Sequence, residues 1–337
     1  MTLPLVLIDP APRSRAMILT DEAWAELNRI ARVVAYWDSG RMPAEQVEEH
    51  LEEAAIIIGQ PPLPKERLDR ARQLQAVINV RGNWEPSIDY EACQARGIRV
   101  LSIAPAMAPA VAEMSLGMAI DLARGITLAD RDFRAGRDRY GIAGNEQAYG
   151  LFGARVGLIG YGNLGRSLRP LLAPFGCDVA VYDPWLPAGY LAEQGCKEAT
   201  LDDVLACSAF LFILAGVTSE NEGFLDRQQL AKIAADACVV LASRAEVVDF
   251  NAFVELAEAR RFRAAIDVFP EEPVPPDHPV RQTNNILLSS HRAGGIWASY
   301  RRISEMMMED IRQILAGHPP VRLQAAEPRQ AAIMRSR

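Results

Sequence analysis

The residues best able to do chemistry are a glycine loop, one histidine, one arginine and a few carboxylates, each at the end of a short apolar run. Gly160-Tyr161-Gly162-Asn163-Leu164-Gly165 follows the run 156–159 and opens a helical stretch, 163–175. The chain then returns through residues 178–182 to Asp183. A strand, a glycine turn, a helix start and an acidic residue closing the next strand are the parts that bind a dinucleotide. Gly160 permits the tight turn, Gly162 lets a pyrophosphate approach the backbone, and Gly165 lets helix and strand pack closely. The helix start, with Asn163 and Leu164, offers unpaired N–H groups to the phosphates. Asp183 would accept hydrogen bonds from ribose hydroxyls and repel a 2′-phosphate, so NAD(H) is expected over NADP(H).

The histidines are His50, His278, His291 and His318. His50 lies in a Glu-rich helix, and His278 and His318 precede prolines in loops. His291 differs, because it follows the apolar run 286–288 and so sits where a strand's carboxyl end meets a ligand crevice. Arg244 follows the run 238–243 in the same way, and Asp267 closes the run 264–266. Glu271 and Glu272 come next in a proline-rich loop, where position alone favours neither.

These residues need a scaffold, and the rest of the chain supplies the pattern for one. Strands are expected at 5–8, 33–36, 55–58, 76–80 and 98–101, separated by helices at 21–31, 43–53, 64–73 and 90–96. One long helix is expected from Pro109 to about Ala135, followed by a polar, glycine-rich loop over 136–153. A second β/α series runs from Arg155 to about Ser289, then a helix over 298–315, then an Ala-, Arg- and Gln-rich tail expected to be poorly ordered. Alternation of this kind gives parallel sheets with helices on both faces, so the fold class is α/β with two doubly wound domains.

The composition excludes several classes. The 337 residues carry a net charge of -7 and are 50% hydrophobic, which argues against a dedicated nucleic-acid binder and against a disordered chain. Five cysteines without a CxxC pair exclude a disulfide scaffold and the usual zinc spacings, so no metal is expected. The start lacks a basic n-region and no stretch is read as a membrane span, so a cytoplasmic protein without membrane or nucleic-acid partners is expected.

Taken in order, the sequence resembles the D-isomer-specific 2-hydroxyacid dehydrogenases over roughly residues 5–320. The resemblance is carried by Val156-Gly157-Leu158-Ile159 running into the glycine loop, by Ala242-Ser243-Arg244 through Val248-Asp249, by Asp267-Val268-Phe269-Pro270-Glu271-Glu272-Pro273, and by Ser290-His291 with Gly294-Gly295. It implies an NAD-dependent oxidoreductase that interconverts a small 2-keto acid and a D-2-hydroxy acid. Arg244 would clamp the substrate, His291 would be the acid/base, and Glu272 rather than Glu271 would pair with it. Ser243 and Asp267 join the cofactor contacts, Asp267 by holding the nicotinamide carboxamide.

The resemblance further implies that backbone N–H groups of the loop 79–84, with Arg81, Gly82 and Asn83, bind the substrate carboxylate. The side chains of Arg81 and Trp84 could instead be a surface charge and a packing ring, and Trp297 is expected to pack. The resemblance also implies a Rossmann domain, 106–295, inserted into a flavodoxin-like substrate domain, 1–105 with 296–337, and a homodimer using the 136–153 arm. Three positions depart from the family pattern: Ala245 for glycine, Ser290 for proline, and 214–218 for a His-x-Pro-Leu-Thr segment. Two other readings stay open. One is phosphonate-type oxidation on the same scaffold, and the other is a catalytically weak NAD-binding regulatory or scaffold protein.

Overall fold

The computed structural model describes residues 3–38 and 40–334. Its strands are β1 Leu5–Asp9, β2 Arg32–Ala35, β3 Ala54–Gly59, β4 Ala76–Asn79, β5 Arg99–Ser102, β6 Arg155–Ile159 and β7 Asp178–Tyr182. They continue as β8 Lys197–Glu198, β9 Phe210–Ile213, β10 Cys238–Leu241, β11 Arg263–Ile266, β12 Ile286–Leu288 and β13 Gln324–Ala325. The chain divides into two compact units. One takes the chain up to Ala108 and again from Gly295, and the other is Pro109–Gly294.

The first unit holds a sheet in the order β13-β5-β4-β3-β1-β2, parallel except for β13 against β5. Both faces are covered, so β1 and β3 are buried along their whole length. Alternate side chains of β1 divide between two cores: Val6 and Ile8 join one with Ile303, Met307 and Ile311 of the helix Trp297–Leu315, and Leu5 and Leu7 join the other. Gly59 ends β3 at φ +131°, and a Cβ there would stand 1.9 Å from the carbonyl oxygen of Asp9. Gly59→Ala is therefore expected to destabilise by about 2–6 kcal/mol, combining backbone strain with a clash that neither strand can relieve. Urea unfolding of the purified variant measures this.

The second unit has the order β12-β11-β10-β9-β6-β7-β8, all parallel. Renumbered from β6, this is the 3-2-1-4-5-6 winding of dinucleotide-binding sheets with a seventh strand added beside the sixth, and the direction reverses between β6 and β9. Gly157, inside β6, has no room for a side chain, since its Cβ would lie 2.2 Å from Ser208 Oγ.

Four expectations need correction. The long helix is two: Ala104–Arg124, which starts earlier and contains Pro109, and Ile126–Arg134. They are separated by Gly125 at φ +63°, a left-handed residue that stops the first helix. The tail is ordered through the last described residue, with β13 pairing on β5 and the helix Pro328–Ile333 burying Ala331 completely. Small residues look structureless in sequence but fit a tight contact here, and Glu327 caps the helix at Gln330 N, 2.8 Å away. Residues 335–337 of that tail lie outside the described residues. By length and composition the helix Ala104–Arg124 is apolar enough to cross a membrane, although Ala112, Met118, Ala119 and Ala123 on it are buried in the second unit's core. Finally, Trp297 is 66% exposed and touches Tyr300 edge-on, so it is not the packed ring expected.

Candidate active site

The glycine loop follows β6 at the point where the second unit's winding reverses. Gly160 has φ +91°, and a Cβ on it would lie 2.8 Å from the backbone of Ala215, just past β9. Only glycine lets the two strand ends come so close. Gly162 caps the helix Asn163–Leu172, and its missing Cβ faces open space, whereas a Cβ at Gly165 would press on Gly160 O at 3.1 Å and on the Tyr161 ring. The ten-residue helix thus starts beside a backbone bare of side chains, which fits a pyrophosphate. Asp183 closes β7 and turns toward this loop: Tyr161 N donates to its Oδ2 at 2.8 Å and Trp185 N to its Oδ1 at 3.0 Å. The carboxylate therefore braces the loop as well, with lone pairs left for hydroxyl donors.

The side chains expected to do the acid/base work also come together in this unit. His291 Nδ1 lies 2.6 Å from Glu272 Oε2, and Phe269 N donates to Glu272 Oε1 at 2.9 Å. That second bond fixes Glu272, not Glu271, as the partner. His291 stands in the left-handed region at φ +49°, an unusual conformation for a non-glycine residue. The turn is held by Asp267, whose two oxygens accept from Arg292 N and Ala293 N, each at 3.1 Å. Asp267 is 1% exposed, so a buried carboxylate anchors the backbone directly after His291.

Arg244 follows β10 and its Nη1 donates to Ser243 O at 2.7 Å. Burial lowers its pKa from the ordinary value, opposed by the charges of Glu246 and Glu272. Arg244 therefore feels the same carboxylate that holds His291. Ser243 is buried and donates to Ile213 O at 3.0 Å, linking β10 to β9. Ser289 follows β12, its N–H donates to Ile266 O at 2.9 Å, and its Oγ is buried with no partner among the described residues. An orphaned hydroxyl there fits a bound polar group.

Sequence reasoning missed three features. Ser289 gave no signal, because a serine after a strand is commonplace. In the segment replacing His-x-Pro-Leu-Thr, Asn221 does the shaping: its Nδ2 donates to Gly216 O at 2.8 Å and its Oδ1 accepts from Thr218 N at 2.6 Å. In the first unit, Asn79 Oδ1 accepts from Arg81 N at 2.9 Å and from Gly82 N at 3.1 Å. Two of the N–H groups expected to face a substrate carboxylate are turned onto this side chain. Arg81 Nη1 lies 3.3 Å from Glu85 Oε1, and Trp84 is buried edge-on against Tyr90. The loop's remaining member, Asn83, is partly exposed.

Fold and loop together define a dinucleotide-binding scaffold. The family profile described as "D-isomer specific 2-hydroxyacid dehydrogenase, NAD binding domain" matches residues 116–293, and the chain belongs to that family. A D-3-phosphoglycerate dehydrogenase of Mycobacterium leprae is 30% identical over 233 residues, 68% of this chain and 43% of that protein. A glyoxylate reductase of Korarchaeum cryptofilum is 26% identical over 275 residues, 80% of this chain and 82% of that protein. The chain spans about half the length of the curated phosphoglycerate dehydrogenases it matches. Among solved structures, a phosphoglycerate oxidoreductase from Rhizobium etli superposes with a TM-score of 0.85 at 39% identity, covering 96% of this chain and 98% of that one.

Proposed function

We propose that this protein is an NAD(H)-dependent oxidoreductase interconverting a small 2-keto acid and the corresponding D-2-hydroxy acid. The observation that carries the reading is the 2.6 Å contact between His291 Nδ1 and Glu272 Oε2. A carboxylate on one ring nitrogen leaves the other, Nε2, to hold the moving proton. Glu272 stabilises the imidazolium and fixes its orientation, so His291 can protonate a carbonyl oxygen in reduction and take the hydroxyl proton in oxidation. Arg244 clamps the substrate carboxylate and keto oxygen, drawing negative charge toward the oxygen that His291 protonates.

Residues Gly160, Gly162, Asn163, Leu164, Gly165 and Asp183 would hold the dinucleotide, and Ser243, Asp267 and Ser289 would surround its nicotinamide end. When bound, the coenzyme supplies or accepts the hydride. The test is NADH oxidation at 340 nm against 2-keto acids of increasing size, with glyoxylate, pyruvate and phenylpyruvate in the panel. Turnover of at least one supports the reading, and silence across the panel while NADH binds would refute it.

Two further expectations follow. Asp183→Ala is expected to narrow the preference for NADH over NADPH, since the carboxylate that repels a 2′-phosphate is lost. It should weaken both coenzymes, because Tyr161 N and Trp185 N lose their acceptor. An unchanged ratio of kcat/KM values would remove Asp183 from ribose recognition. The homodimer rests on the second unit's arm. Ile126, Leu128, Phe133, Tyr140, Ile142 and Phe152 are 55–83% exposed there, an unusual concentration of large apolar side chains for a solvated face. Sedimentation at micromolar concentration should show a dimer, and Ile142→Asp should shift it to monomer.

A further inference from the structure

The strand order of the second unit gives the direction in which a dinucleotide runs across it. Neighbouring strands are β7, β6, β9 and β10, in that order. Asp183 closes β7, the glycine loop follows β6, and Arg244 follows β10. With the adenosine ribose at Asp183 and the phosphates at the glycine loop, the second ribose and the nicotinamide extend over the end of β9, toward Arg244. The loop after β9, residues 214–221, then forms the wall beside the nicotinamide half.

Both ends of that loop are seated. Leu214 N donates to Ile159 O at 2.8 Å, and the side chains of Leu214 and Val217 are buried. On the return, Gly223 N donates to Glu246 O at 2.8 Å and Leu225 N to Val247 O at 3.2 Å, which ties the chain to the residues just after Arg244. Between these anchors Gly216 is exposed, and glycine has the most conformational freedom to lose. Asn221 removes that freedom. One side-chain amide spans the turn, with Nδ2 on Gly216 O and Oδ1 on Thr218 N, and Thr218 Oγ1 accepts from Glu220 N at 3.2 Å. The glycine loop has a separate brace, Tyr161 N on Asp183 Oδ2, so loosening 216–218 leaves the site of the adenosine half standing.

We infer that Asn221 is a positioning residue for the coenzyme: it holds the backbone of Gly216–Thr218 in place as the wall against the nicotinamide half. This rests on the coenzyme reading of the glycine loop above and not on the choice of keto acid. The residue acts through the backbone that it holds, and its contribution falls on one half of the dinucleotide only.

The test is calorimetric titration of NADH and of ADP into the wild type, Asn221→Ala and Asn221→Asp. ADP carries the groups assigned to Asp183 and the glycine loop, and NADH adds the second ribose and the nicotinamide. Asn221→Ala should weaken NADH by about 3–10-fold, the change expected when the wall is in place in about a tenth to a third of the molecules, while ADP changes by less than about 2-fold. Asn221→Asp is isosteric and keeps an acceptor for Thr218 N but loses the donor to Gly216 O. It should weaken NADH selectively as well, and it keeps the inference testable if the alanine variant fails to fold. The fluorescence gained by NADH at saturation, which reports the surroundings of the nicotinamide, should be lower in both variants. Equal weakening of NADH and ADP would mean that Asn221 only supports the fold, and unchanged affinity for both would mean that the wall stands without it. Either result overturns the inference and leaves the coenzyme reading intact. A wild type that binds neither ligand would instead overturn the coenzyme reading, and the inference with it.

Discussion

His291→Ala is expected to lower kcat by about 10²–10⁴-fold while leaving NADH binding nearly intact. The two effects separate because the groups sit at different strand ends. His291 follows β12, whereas the glycine loop and Asp183 follow β6 and β7. In the proposed mechanism, removing the imidazole would remove the proton offered to the carbonyl oxygen and leave the dinucleotide cradle untouched. The left-handed backbone at His291 calls for a control. His291→Asn tolerates that conformation better than alanine, so it should fold as the wild type does and lose activity to the same degree. Glu272→Gln keeps a hydrogen-bond partner but loses the charge that stabilises the imidazolium, so its loss should be smaller. The readouts are NADH fluorescence for binding and absorbance at 340 nm for turnover. A near-normal rate in His291→Asn would refute the acid/base role.

Arg244→Lys is expected to cost about 10²–10³-fold in kcat/KM, although the charge is kept. The reason is geometric. A guanidinium presents donors in a rigid plane, and Ser243 O already takes one Nη1 hydrogen of Arg244. In the proposed reaction the remaining donors would engage the carboxylate and keto oxygen together. A lysine ammonium is a point charge on a flexible stem and reaches one of those oxygens at a time. The carboxylate of Glu272 adds a second constraint, since Arg244 feels its charge. Steady-state kinetics should show the loss in kcat as well as in KM. If only KM rises, Arg244 binds the ground state and contributes nothing special to the transition state.

Much of the architecture was legible because it is written locally. Strands covered on both faces are near-continuous apolar runs, such as Ala55-Ile56-Ile57-Ile58, and no tertiary information is needed to see them. The glycine loop is legible for the same reason, since each glycine answers a local demand on the backbone. Gly125 shows the limit: a single glycine in an apolar stretch reads as tolerated, and only its φ of +63° reveals a break. The tail shows another, because the order of the 328–333 helix comes from Ala331 fitting into a core that other elements build.

At the site, the sequence by itself determined the identities of Arg244 and His291 and their places at strand ends. Between Glu271 and Glu272 the residues alone favoured neither. The tertiary structure chose Glu272, through Phe269 N on one oxygen and His291 on the other. Pairing of this kind depends on how a loop folds back, and loop residues carry no periodicity that would report it. The same holds for the first unit. Asn79 turning the N–H groups of Arg81 and Gly82 inward, and Arg13 meeting the carbonyl of Val80 67 positions further along the chain, are facts that no local pattern reports. An arginine announces its charge in the sequence, but whether that charge is answered is decided only when the fold brings its neighbours together.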